Sequence, residues 1–425
     1  MKSKIKILKL SPYYYPEHVS SSHLSDDLEE ALISAGADIE IYAPRPTRGI
    51  NDEIRKKYKK IKYEELNQGH IKLHRFSMFD EKRNPIIRGI RYILVNVIQY
   101  FMGIKVKGVD VIYAASTPPT QGVLCAKVAK KLSKKYRKKV PFVYNLQDVF
   151  PDSLVSAGLT SKGSVIWKIG RKIEDYTYKN ADTIIVISED IKRNITKKGV
   201  DESKIRVISN WVDTDEIVPV SKENNILYDE FGLDKNTFKI VYAGNIGKMQ
   251  GIDMLIDVAV KLKEDAETEI IIFGDGVEKE NLIKRIKKEE LKNIHIYPLQ
   301  PSDKVSAVYS LGDVCLVSCK KGLGKGAFPS KTVSIMATGT AIIAAFDNDS
   351  ELCGIVDKYD IGVCVEPENA DEFVEAVNVF KNNRNLLKIK GSNGRKIVEN
   401  KFSKTICIKE YLRVFGIENI NSDKE

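Results

Sequence analysis

A lysine in the first turn of a helix sits against the partial positive charge that helix N-termini carry. The stretch "GKGAFPSKTVSIMATGTAIIAAF", from Gly324 to Phe346, calls for such a lysine. Ser330 reads as an N-cap, Lys331 to Ala337 as a helix of about two turns, and Gly339 as its stop, with a buried strand from Ala341 to Ala345. The placement makes physical sense if an anion such as phosphate lies in front of Lys331. Otherwise Lys331 is a solvated surface side chain. Two other loops bear on the choice. "YAGNIGKMQG" puts Gly244 and Gly247 between a strand and a helix, where backbone N–H groups can approach an anion and Lys248 adds charge. "IIFGDG" repeats the device at Gly274 to Gly276. A tight strand–helix turn alone also needs glycine, so an anion site is expected only where the three strand-end loops converge on one crevice.

Those loops need two α/β halves to hold them. The chain opens with a strand (Ile5 to Leu10), a helix from about Ser21 to Ser34 closed by Gly36, and the strand "ADIEIYA", a βαβ unit. "VDVIYAAS", "VPFVYNLQD", "ADTIIVIS" and "IRVIS" continue the alternation. The pattern restarts at "FKIVYAGNIG" and runs to about Pro367. Between the halves, "SNWVDTDEIVPVSKENN" (Ser209 to Asn225) is polar and aperiodic and reads as a linker. The expected division is 1–212 and 213–395, two Rossmann-like domains facing across a cleft, with a C-terminal helix and tail (396–425) crossing back to the first.

Composition sets further bounds. The 425 residues carry a net charge of +10, which suits an anionic partner. The lysine runs at 54–62 and 129–139 lack interleaved aromatics and read as solvated helix faces, so no nucleic-acid partner is expected. Six cysteines without a CxxC read as reduced thiols in a cytoplasmic protein, and the five histidines show no metal-ligand spacing. The segment 84–108, "NPIIRGIRYILVNVIQYFMGIKVKG", is apolar, aromatic and flanked by lysine and arginine. It is too short to span a bilayer; it could lie in an acidic membrane interface or serve as a core helix.

The motifs together resemble the retaining family 4 ("group 1") glycosyltransferases with the GT-B fold, over nearly the whole chain. "SNWVDTDEI" is similar to that family's hinge segment, "YAGNIGKMQGIDMLID" and "FGDGVEKENL" to its two nucleotide-side loops, and "MATGTAIIAAFDNDSELCGIV" to its run toward the donor. "LQDVFPDS", "GNIG", "PSK" and "SEL" resemble the N-acetylfucosaminyl transferase branch of colanic-acid, O-antigen and capsule assembly. The resemblance implies transfer of a sugar, an N-acetylated deoxyhexosamine in that branch, from a UDP-linked donor. The acceptor would be a lipid-diphosphate-linked saccharide on the cytoplasmic face of the membrane, touched peripherally through 84–108.

It implies a diphosphate site at Gly244, Asn245, Gly247, Lys248, Pro329, Ser330 and Lys331, with no required metal or other cofactor. The nucleoside would meet Gly274, Asp275, Leu299, Ser334 and Glu351, and the donor sugar Gly326, Ala327 and Phe328. His18, Val19, Ser20, Ser21 and Gln147 form the acceptor-side loop group. Asp148, catalytic beside Lys331, either faces acceptor and sugar or caps the turn at Pro151; Glu351 either touches the ribose or caps its own helix. Asp213–Asp215 and Asp347–Asp349 look like metal-binding DxD motifs of the other glycosyltransferase fold but belong here to loops.

The chain departs from the family pattern in two places. The Glu-x7-Glu positions hold Gly326 and Ser334, and the first loop's usual Arg and Lys are Asn245 and Gln250. That leaves two alternatives: a non-catalytic partner in a polysaccharide-assembly complex, and a sugar-nucleotide 2-epimerase of the same fold, which the histidine-poor second half disfavours. A dinucleotide dehydrogenase is disfavoured, since no complete GxGxxG follows the first strand.

Overall fold

The computed structural model describes residues 4–17, 22–81, 84–156, 158–324 and 328–417. The chain divides into two compact units. Of the described residues, the first takes those up to Ile187, then Ile191–Ile208 and Ile408–Ile417; the second takes Ser188–Asp190 and those within 209–407.

The first unit is built on eight strands: β1 (Lys6–Leu10), β2 (Asp38–Pro44), β3 (Tyr63–Leu66), β4 (Ile71–Phe76), β5 (Val111–Ala115), β6 (Phe142–Leu146), β7 (Thr183–Val186) and β8 (Ile205–Val207). Their order is β3-β4-β2-β1-β5-β6-β7-β8, and every pair is parallel except β3–β4. Strands covered on both faces read as unbroken apolar runs, and Leu8, Ile112, Phe142 and Ile184 are fully buried. The last described turn returns to this unit, where Phe415 meets Tyr113 edge-on at 5.6 Å.

The second unit holds six parallel strands in the order β11-β10-β9-β12-β13-β14. They are β9 (Phe238–Asn245), β10 (Thr268–Asp275), β11 (Ile294–Tyr297), β12 (Val314–Ser318), β13 (Ala341–Ala345) and β14 (Gly362–Val365). Two Rossmann-like α/β domains are therefore present, as the alternating grammar implies.

Three sequence expectations need correction. Residues 209–225 do not hang free as a linker but are strapped to the second unit. Val218 and Val220 N–H groups donate to the Ser306 and Ser310 hydroxyls, and Arg395 donates to the Thr214 and Ile217 carbonyls. Aperiodic polar sequence reads as linker even where several of its backbone groups are bonded to a domain. Residues 396–407 stay with the second unit, so the return begins at 408 and not at 396. The cysteines are not all free thiols: Cys353 and Cys364 form a disulfide with a Cα–Cα distance of 5.7 Å. Parallel pairing of β13 with β14 sets Cys364 at the end of β14, under the helix Glu351–Tyr359 that carries Cys353. Cys125, Cys315, Cys319 and Cys407 are buried and not disulfide-bonded.

Candidate functional site

The second unit assembles its strand-end loops by direct hydrogen bonds. The Ile246 N–H donates to the Asp275 carbonyl, and Glu278 N–H to that of Ile246, tying the loop after β9 to the loop after β10. The Lys320 N–H donates to the Met249 carbonyl, tying in the loop after β12. Two glycines are required by this closeness. A Cβ on Gly274 would lie 2.4 Å from the Gly244 carbonyl oxygen. Gly244 itself has φ +140°, and a Cβ there would stand 3.2 Å from Lys331 Nζ.

Lys331 thus reaches across to the end of β9. Its ammonium lies 3.8 Å from the centroid of the Tyr242 ring, a cation–π contact. The Tyr242 hydroxyl is fixed by donating to the Asn245 carbonyl at 2.7 Å. Lys331 has no hydrogen bond or ion pair to a described residue, and burial lowers its pKa to about 7. A desolvated cation with no counter-ion among the described residues suits an incoming anion. Lys331 begins the helix Lys331–Ala337, which is short; the charge comes from the side chain.

Ser330 is not the expected N-cap. Its own backbone is already helical (φ −57°, ψ −30°), and its side chain makes no cap hydrogen bond. An N-cap needs extended backbone to turn its hydroxyl back. The Pro329 carbonyl starts the turn instead, accepting from Thr332 N–H. Ser334 lies one turn beyond Lys331 on the same face.

Around this centre, Asn245 Nδ2 donates to Gln250 Oε1 at 3.3 Å, and Lys248 is exposed in the turn Lys248–Gln250 that follows Gly247. Asp275 is exposed and caps Gly276 N–H. Leu299 lines a slot of about 90 Å³ with Gly244, Phe273 and Tyr309. Phe328 stacks on Phe402 at 5.7 Å. His18, Val19, Ser20, Ser21, Gly326 and Ala327 lie outside the described residues.

Three predicted residues have other engagements. The Glu351 carboxylate accepts the Asp190 N–H at 2.9 Å while its own N–H donates to Asp190, and burial raises its pKa. Gln147 donates to the Asn145 side chain. Asp148, two residues past β6 in the first unit, is exposed, and partial desolvation of its carboxyl raises its pKa. The Ser153 hydroxyl and Val149 N–H donate to it and oppose the rise.

The aspartate doublets serve backbone groups. Asp213 accepts from the N–H groups of Asp215 and Glu216, and Asp347 from those of Gly322 and Gly324. Among the described residues no three His, Cys, Asp or Glu side chains gather as a metal cluster. Tyr242 was not legible as part of the site, since an aromatic in a strand reads as core. Asp347 was visible only as a doublet. Ser318, at the end of β12, and Thr332 bury hydroxyls with no partner among the described residues.

Two family models match successive stretches of the chain: "Glycosyltransferase Family 4" over residues 24–216 and "Glycosyl transferases group 1" over 225–397. The chain belongs to the group 1, family 4 glycosyltransferases. Among its glycosyltransferase relatives is the putative colanic acid biosynthesis glycosyl transferase WcaI of Escherichia coli K12. The two are 28% identical over 239 residues, 55% of this chain and 58% of that protein, so the match spans little more than half of the relative. The uncharacterized glycosyltransferase MJ1069 of Methanocaldococcus jannaschii is 24% identical over 97% of this chain and 98% of its own. Among solved structures, Anabaena Alr3699/HepE in complex with UDP superposes with a TM-score of 0.69 at 16% identity, covering 97% of this chain and 100% of that one. Such neighbours establish GT-B as the glycosyltransferase fold of this chain.

Proposed function

We propose that the chain transfers a sugar, with retention of anomeric configuration, from a UDP-sugar to a lipid-diphosphate-linked saccharide during cell-surface polysaccharide assembly. The observation that carries this reading is Lys331, held over Tyr242 beside Gly244 with no anionic partner among the described residues. When the bond from sugar to diphosphate breaks, charge develops on the leaving oxygen. A preorganised ammonium and the N–H groups of Gly247 and Lys248 would offset that charge. The Gly244–Lys248 loop and Pro329–Lys331 form the proposed diphosphate site. Gly274, Asp275, Leu299 and Ser334 line the proposed nucleoside side. The UDP bound by the Anabaena neighbour and the polysaccharide role in the name of WcaI support the donor and pathway class. Glu351 is not included, because its carboxylate already accepts Asp190 N–H. Asp148 is proposed to contact the acceptor or the transferred sugar.

The test is product analysis with a panel of UDP-sugars and a membrane extract of lipid-linked saccharides. Released UDP with a glycosylated lipid supports the reading, whereas an epimerised sugar nucleotide, or no product, contradicts it. Lys331→Ala should lose on the order of 10²–10³ in turnover, the scale of one preorganised donor. Turnover within about threefold of the wild type would refute the role of Lys331.

A further inference from the structure

The helix Pro85–Gly103 is turned inside out. Ile86, Ile90, Ile93, Val97 and Phe101 recur at three- and four-residue spacing along one stripe, and all are exposed, Ile86 by 74% and Ile93 by 59%. Its polar side chains point inward. Arg91 and Gln99 are both 0% exposed. Gln99 donates to the Ser11 and Tyr42 carbonyls at 2.8 Å, and the Arg91 guanidinium lies 4.5 Å from the Tyr13 ring centroid. A helix bordered by water does the reverse, and a contiguous apolar stripe on a surface marks a contact.

The stripe does not stop at one helix. Val165, Ile166 and Ile169 of the helix Val165–Asn180 are exposed, Val165 by 73%. Ile173, next along the same helix, lines a groove of about 700 Å³ together with Ile93, Val97, Phe101, Val123 and Lys127. The charge around the groove is mainly positive, the helix Val165–Asn180 adding Lys168, Arg171, Lys172 and Lys179 against Glu174 and Asp175. Helices Pro85–Gly103 and Thr120–Tyr136 carry two arginines and five lysines and no acidic residue. Among the described residues, no helix is long and apolar enough to cross a membrane.

We propose that this face of the first unit seats in the headgroup–acyl boundary of an anionic bilayer, with the groove taking an acyl or prenyl chain of a bilayer lipid. Apolar burial and the positive border act together, as in interfacial helices. The buried polar side of the same helix then ties the seated surface to the loop after β1 through Ser11 and Tyr13. This deepens the reading above by naming the surface that meets the acceptor's lipid. Vesicle binding needs no sugar donor, so either proposal can fail while the other stands.

The test is flotation of the full chain with phosphatidylcholine vesicles, with and without about one-third phosphatidylglycerol, at low and high salt. Binding is expected on the anionic vesicles, weakened by salt and by omission of phosphatidylglycerol. Ile93→Glu and Ile166→Glu should each cut partitioning on the order of tenfold or more. Val379→Glu, on an equally exposed apolar residue of the second unit, should not. Val97→Ser is a milder variant with the same expected direction, and an unchanged melting temperature shows that each variant folds. The proposal is overturned if neither vesicle is bound, or if binding survives Ile93→Glu and Ile166→Glu. It is also overturned if the face proves to join two copies, seen as a dimer that Ile93→Glu dissolves without any vesicle binding.

Discussion

Titrating a UDP-sugar into the protein across pH addresses Lys331 through its own proton. Burial lowers the Lys331 pKa to about 7 in the unliganded protein, against an unperturbed value of 10.5. A diphosphate in contact restores a counter-charge and moves the pKa back toward that value, so binding takes up a proton wherever the free lysine is neutral. The free side chain is about 90% protonated at pH 6 and about 1% at pH 9, so affinity should fall about 100-fold between them, equivalent to about 2.7 kcal/mol. UDP-glucose is a suitable probe because its diphosphate holds a constant charge over this range. Calorimetry at pH 8 in buffers of different ionisation enthalpy should show uptake of about 0.9 proton. Lys331→Met should bind weakly and without pH dependence, and Lys331→Arg should keep a flat profile because guanidinium stays charged. A wild-type affinity constant from pH 6 to 9, or a Lys331→Met protein that binds as tightly as wild type at pH 6, would refute the reasoning.

The same shift makes a stability prediction of opposite sign. Because the folded-state pKa lies below the unfolded one, the unfolded chain binds the extra proton between about pH 7 and 10.5, so this group's contribution rises with pH in that window and is most unfavourable below it. Lys331→Met should therefore melt higher than wild type at pH 6 without ligand, and a lower melting temperature contradicts this. Gly274→Ala places a Cβ 2.4 Å from the Gly244 carbonyl oxygen and should lower the melting temperature and abolish the nucleotide-induced shift; an unchanged shift would show that the loops can part. Asp347→Ala frees the Gly322 and Gly324 N–H groups and should reduce turnover on the order of tenfold while leaving UDP affinity nearly intact; a parallel loss of both would argue against a donor-loop role. Asp148→Asn should lower turnover at least about tenfold, whereas Ser153→Ala should not. Equal effects of the two on melting temperature alone would show that Asp148 only caps its turn.

The alternation of apolar β-branched runs with amphipathic segments made the second sheet and most of the first legible, because strands buried on two faces carry that pattern without help from distant residues. β3 and β4 went unread because their alternate residues are exposed or only half-buried. The glycine loops were legible too, since Gly244 and Gly274 answer to backbone closeness that only glycine permits. Tyr242 and Asp347 were not, as their roles depend on which loops meet, and that is set by the parallel register of β9 with β10 and β12. Ser330 misled because the type of a capping residue is visible in sequence and its backbone angles are not. The 85–103 helix shows its apolar stripe in sequence. Which side of it faces the protein depends on Arg91 and Gln99 finding hydroxyl, carbonyl and aromatic partners some 40 to 90 residues away.

The most direct test of the central claim is a thermal-shift titration with UDP, GDP, ADP, TDP and CMP, each with and without EDTA, on wild type and Lys331→Met. A nucleotide at a hundred times its dissociation constant stabilises by about 2.7 kcal/mol, several degrees for domains of this size. A UDP-selective shift that EDTA leaves unchanged and Lys331→Met removes is expected. No shift with any nucleotide, or a UDP shift that survives in Lys331→Met, would contradict it.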